Sequence, residues 1–181
     1  MEEFQSKIIE LTIESLKKIN ESRFYSTERG YQGRFQCALY QELDRNNILP
    51  NDAIIEEEYQ KTIPNHGINQ RPDIIIHIPV EHSGLENRKL NNFIVYALKK
   101  DVNKDKATAD FKKLNEMLKK LDYDLGIFIN INGYPDTYLK YCEEEFKDRI
   151  HEFSVNFQNG KVFLAHYYFF ENHIERKDYS N

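Results

Sequence analysis

Two residues of opposite charge stand at the ends of neighbouring apolar stretches in this chain. Arg71-Pro72-Asp73 opens the run Ile74-Ile75-Ile76, and Lys99 closes the run Ile94-Val95-Tyr96-Ala97-Leu98. If both runs are strands, an acid and a lysine meet at adjacent strand ends. Burying them is costly unless they face each other, a metal or a phosphate. A second carboxylate, Glu28, falls in the first turn of an expected helix, on the face that carries Gln32, Phe35 and Leu39. Packing of that apolar stripe would turn Glu28 toward the sheet.

The elements that must position these residues follow from periodicity. Phe4, Ile8, Leu11, Leu16 and Ile19 predict an amphipathic helix over 2–20, and a second helix starts after Ser26 or Thr27 and stops before Pro50. Gly30 and Gly33 weaken its first turns. The pattern then changes to period two over 53–59, 73–78 and 92–99, three successive strands separated by polar stretches with Pro64, Gly67, Pro72 and Gly84. Phe111, Leu114, Leu118 and Leu121 predict a helix over 104–121, and the apolar run 125–131 an interior strand. A fourth helix is expected from Pro135 through Tyr138, Leu139, Cys142 and Phe146. Phe153, Val155 and Phe157, then Asn159-Gly160, then Val162 and Leu164 form a hairpin signal. The strand–helix–strand stretch from 92 to 131 requires a parallel crossover within an otherwise antiparallel sheet. The class is therefore α/β, with a mixed sheet flanked by helices. One domain over 1–181 is expected, with its core at about 25–132, then a C-terminal helix and hairpin at 135–170.

In this order the residues resemble the PD-(D/E)XK nuclease superfamily, whose restriction-endonuclease-like core runs α-β-β-β-α-β. Pro72-Asp73 matches the PD, Ala97-Leu98-Lys99 stands at the (D/E)-x-K place, and Glu28 matches the acid of the leading helix. The chain is similar to small stand-alone members that carry a Glu-Arg-led helix (Glu28-Arg29), a strand ending in Glu-Tyr (Glu58-Tyr59), the run Arg71 to His77, a strand ending in Lys99-Lys100, and an Asp-x-x-Lys-Leu helix (Asp110 to Leu114). The resemblance covers about residues 25 to 132. It implies a Mg²⁺- or Mn²⁺-dependent endonuclease that hydrolyses DNA phosphodiesters. Asp73, the residue at 97 and the Leu98 carbonyl would hold the metal. Lys99 would orient or deprotonate water or neutralise the phosphate oxyanion, and Glu28 would act in the outer shell or join the ligands.

Position 97 departs from this pattern. A carboxylate there would project beside Lys99 and opposite Asp73, but alanine offers no oxygen. The residues imply three alternatives: a nuclease inactivated by a Glu-to-Ala change at 97, a natural pseudo-nuclease that binds DNA or an assembly, or an acid moved elsewhere. Glu56 and Glu58 are the candidates for a moved acid, with Glu81 and Glu86 read as loop residues. A junction resolvase or other repair nuclease would use the same chemistry on another substrate. A role in anti-phage defence or restriction follows only from how often this fold serves there.

Each site residue also has a plainer reading. Asp73 could simply cap the turn after Pro72, and Glu28 could answer the helix dipole, with Glu42 on nearly the same face. Gln32 supports the site or is a solvated side chain. His77 approaches phosphate or is structural. Arg71 contacts phosphate or pairs with an acid such as Glu58.

Twenty-five Lys and Arg against 30 Asp and Glu give a net charge of −5, so any contact with nucleic acid must be local. Lys99, Lys100, Lys104, Lys106, Lys112 and Lys113 supply it, while Lys119 and Lys120 read as solvated. Weak, salt-sensitive DNA binding suits a homodimer or a subunit of a larger assembly, and the aromatic run ending in Phe170 is either strand core or such an interface. No small-molecule cofactor is expected. The N-terminus lacks the features of a secretory signal, no apolar run approaches membrane-spanning length, and Cys37 and Cys142 read as buried or inert thiols of a reducing cytoplasm.

Overall fold

The computed structural model describes residues 2–79 and 91–180. In chain order these form α1 (Glu2–Lys17), a 3-10 turn (Ser22–Ser26), α2 (Glu28–Asn46), β1 (Ile54–Glu57), the single turn α3 (Ile63–His66), β2 (Ile74–His77), β3 (Asn92–Lys100), α4 (Lys104–Leu121), β4 (Leu125–Ile131), β5 (Ile150–Gln158), β6 (Lys161–Phe170) and β7 (His173–Ser180). The strands join in one seven-stranded sheet in sequence order. β1, β2 and β3 pair antiparallel, β3–β4 and β4–β5 are parallel, and β5–β6 and β6–β7 are antiparallel again. The expected parallel crossover from β3 to β4 is therefore present, made by α4, but the rest of the sheet is not all antiparallel as expected, because β4–β5 is parallel too.

Alternation along the strands divides the core. Ile74, Ile76, Ile94, Tyr96 and Leu98 pack with α1 and α2 on one face, while Ile75, Val95 and Phe128 pack with Phe111, Leu114 and Leu118 of α4 on the other. β4 is buried along its whole length, as a parallel strand covered on both faces must be. Each large apolar side chain removed from water in these layers contributes about 1.5–3 kcal/mol. The ends of α4 are fixed locally. The Asn103 side chain accepts a hydrogen bond from the Lys106 N–H at 3.0 Å, and Asp122 closes the helix in the left-handed region at φ 57°.

Several expectations are corrected. The fourth helix does not form. Residues after Pro135 make two 3-10 turns, Leu139–Tyr141 and Glu144–Phe146, with backbone bonds such as Cys142 N–H to the Leu139 carbonyl. The Thr137 hydroxyl and the Tyr138 N–H instead donate to the Glu152 carboxylate, at 2.7 and 2.8 Å, which anchors the segment to β5. Leu139, Cys142 and Phe146 are still buried, so the apolar spacing reported packing rather than helix. The C-terminal hairpin is real but gains a third strand, β7. β1 ends at Glu57 because Glu58 turns to φ 50°. Cys37 is exposed on α2 and only Cys142 is buried. Glu81, Glu86 and Gly84 lie outside the described residues.

Candidate active site

Antiparallel pairing brings the start of β2 beside the end of β3. Ile74 lies opposite Tyr96, so Asp73 comes next to the last residues of β3. Its Oδ2 accepts from the Leu98 N–H at 2.6 Å, and its backbone carbonyl accepts from Gln32 Nε2 and from the Glu58 N–H, each at 3.0 Å. Gln32 is thus tied to the backbone of Asp73 and is not a solvated side chain.

Glu28 arrives from the opposite layer. Thr27 caps α2, its Oγ1 accepting from the Gly30 N–H at 3.1 Å. A Cβ at position 30 would lie 2.8 Å from that oxygen, so the glycine that weakens the helix on propensity allows its cap to close. The cap places Glu28 at the rim of the sheet. There its Oε1 accepts from Lys99 Nζ at 2.8 Å and its Oε2 from the Lys100 N–H at 2.9 Å. Both oxygens thus serve β3, and Glu28 holds the lysine in place.

Asp110, which in the sequence only opens an Asp-x-x-Lys-Leu stretch, lies at the same place. It belongs to the buried stripe of α4 together with Ala107, Phe111, Leu114 and Met117. Only 5% exposed, it accepts from Lys113 Nζ through Oδ1 at 2.8 Å, and its buried Oδ2 has no hydrogen-bond partner among the described residues. The available signal was an acid on the apolar face of an otherwise regular amphipathic helix.

A cavity of about 50 Å³ is lined by Asp73, Ala97, Lys99 and Asp110, by Gln70, Arg71 and Lys113, and by apolar residues of β3 and α4. An adjoining open groove of about 340 Å³ shares Lys99, Asp110 and Lys113 and adds Glu28 and Lys106. Burial pushes Asp73 up to about 6; the Leu98 N–H and the Lys99 charge oppose this, while the charges of Glu28 and Asp110 add to it. Burial alone would lower the Lys99 amine, but the hydrogen bond to Glu28 and the charges of Asp110, Glu28 and Asp73 outweigh it and raise the amine above its ordinary value. Lys99 is thus charged at neutral pH. Among the described residues, no group of three or more His, Cys, Asp and Glu side chains is placed to hold a metal ion.

The other expected residues separate into two sets. Lys104, Lys106, Lys112 and Lys113 are exposed along α4, and Lys100 pairs with Asp101. Arg71 is exposed, lies 3.7 Å from Glu58 and also lines the cavity. His77 is buried and bonded through Nε2 to Glu56 at 2.6 Å, away from the cavity. Glu42 is taken by Lys18 and Arg45. With Glu56 on His77 and Glu58 on Arg71, neither of the two candidates for a moved acid lines the cavity.

No family model matches this chain, and no curated protein does. Among solved structures it is similar to Pyrococcus furiosus SfsA in complex with Ca²⁺, with 13% identity and a TM-score of 0.38. The match covers 73% of this chain, which spans 62% of the length of that one. Among the described residues, no helix is long and apolar enough to cross a membrane.

Proposed function

We propose that the protein is a metal-dependent nuclease of the PD-(D/E)XK type that hydrolyses phosphodiester bonds in DNA. One observation carries this reading. Asp73 and Lys99, on neighbouring strand ends, line one cavity, and Lys99 and Lys113 also line a groove that bears Lys106. Lys99, fixed by Glu28, would face the scissile phosphate as a charged amine, offsetting negative charge on the oxyanion. Lys106 and Lys113 would follow the backbone beyond it. Asp73 supplies one hard oxygen ligand, and a bound divalent cation would contribute Lewis-acid activation of water and charge compensation at the phosphate.

A second reading, a DNA-binding module without catalysis, is favoured by one observation: the alanine at 97. The two readings separate in a cleavage assay with Mg²⁺ or Mn²⁺ on supercoiled plasmid, duplex, single strand, four-way junction and RNA. The nuclease reading expects nicking by the chain or by its Ala97→Glu variant, abolished in each by Lys99→Ala. DNA binding with neither form cutting any substrate would overturn it in favour of the module.

A further inference from the structure

We infer that Asp110 supplies the second metal-binding carboxylate, so that a divalent cation binds between β2 and α4 and the alanine at 97 leaves the site relocated rather than decayed. The inference rests on the nuclease reading and adds a ligand to it.

Three observations converge. Asp110 is nine-tenths buried, yet one of its oxygens has no hydrogen-bond partner among the described residues. A carboxylate oxygen stripped of water and left without a donor is unfavourable until a donor or a cation answers it. Lys113 answers only the other oxygen, from a side chain half exposed to solvent. Second, Asp110 lines the same cavity as Asp73 and Lys99. Third, Ala97 lies on the wall of that cavity and packs with the apolar cluster of α4, so the place where the strand would carry its acid is filled by a methyl group, while the facing helix brings an acid to the same space.

Two carboxylates suit Mg²⁺ or Mn²⁺. Such ions take hard oxygen ligands, and Mg²⁺ retains several waters and is commonly held by one or two carboxylates completed by substrate phosphate. A cavity of about 50 Å³ accommodates a few water-sized positions, room for a partly hydrated ion. Glu28 is already engaged by Lys99 and Lys100 and is not needed as a ligand.

The test is binding of Mn²⁺ alone, by titration calorimetry and by the shift in melting temperature it causes, on the full chain and on Asp110→Asn, Asp73→Asn, Ala97→Glu and the Ala97→Glu/Asp110→Asn double variant. The parent should bind Mn²⁺ and gain melting temperature. Asp110→Asn and Asp73→Asn should each lose affinity by roughly tenfold or more. Asp110→Asn gives up the ion pair with Lys113, and a cooperative melt of the metal-free variant shows that it folds. The double variant should recover binding. If Asp110→Asn binds as the parent does, or only the Ala97→Glu forms bind, the inference is overturned and the nuclease reading stands. If no form binds metal or cuts nucleic acid, both fall. Should Asp110→Asn fail to fold, the parent's own Mn²⁺ response and its loss in Asp110→Ser decide the matter.

Discussion

Glu28, the first residue of α2, and Lys99, near the end of β3, are 71 positions apart in sequence and joined at 2.8 Å across the rim of the sheet. The same carboxylate accepts the Lys100 N–H, so it fixes both the strand end and its amine. Glu28→Gln keeps the shape but removes the charge. It should lower the unfolding free energy by about 1 kcal/mol, kept small by the partial exposure of both side chains. Because Lys99 is raised above its unfolded value, its contribution is complete below the ordinary lysine pKa and lost as pH rises through the raised one. Denaturant unfolding at pH 7 and pH 11 measures this, and a parent–variant difference equal at both pH values would contradict the pairing.

Lys106 and Lys113 border the groove beside Lys99. If each contacts a phosphate, the double Gln variant should lower the slope of log K against log salt by about two, since each neutralised phosphate contributes about 0.9. Fluorescence anisotropy with a labelled duplex reads the slope. An unchanged slope places the DNA elsewhere. Lys119, paired with Glu145, serves as the control that should change nothing.

β5 and β6 carry two opposing pH responses. His151 and His166 touch through Nδ1 and Nε2 at 2.8 Å, and burial drives them down to about 4 and about 3, with His151 and Lys177 adding to the effect on His166. Their contribution is present above pH 6.5 and falls away as pH drops toward those values, because the unfolded chain binds the protons first. Glu152 behaves oppositely. Burial lifts it to about 7 against its hydrogen bonds from Thr137 and Tyr138, so the folded state holds a proton that the unfolded chain releases, and stability declines as pH rises from 4.5 to about 7. The two partly cancel between pH 4.5 and 6.5 in the parent. His166→Phe should make the acid limb of the stability curve shallower, and Glu152→Gln should remove the decline toward neutrality. Thermal melts from pH 4 to 8 separate them, and parallel curves for all three proteins would refute both assignments.

Phe111 is fully buried beside Asp110 and meets the Phe128 ring at a centroid distance of 5.1 Å. It anchors α4 to β4. Phe111→Ala should cost about 3–5 kcal/mol in chemical denaturation, with Phe111→Leu well below that. The alanine variant should also weaken Mn²⁺ binding, because Asp110 loses the packing that aims it. A loss of stability under 1 kcal/mol would mean that α4 is held by other residues.

The sequence by itself determined the α/β class, the bounds of α4 and β4, and the order of strands around the crossover, because side-chain period is a local property written along each element. It also picked out Asp73, Lys99 and Glu28, whose charges stand out at element ends. What it could not determine was which polar groups share a space. The fourth helix failed because Glu152, on β5, takes donors from the segment after Pro135, and no local pattern announces a partner that tertiary packing brings in. The same cause hid β7, a largely exposed and charged strand that pairs only because β6 offers it an edge. At position 97 the strand pattern shows only that β3 carries a methyl group where an acid would face Asp73. Only packing of α4 onto the sheet placed Asp110 in the same cavity, since burial on an apolar helix face is decided by what the helix packs against.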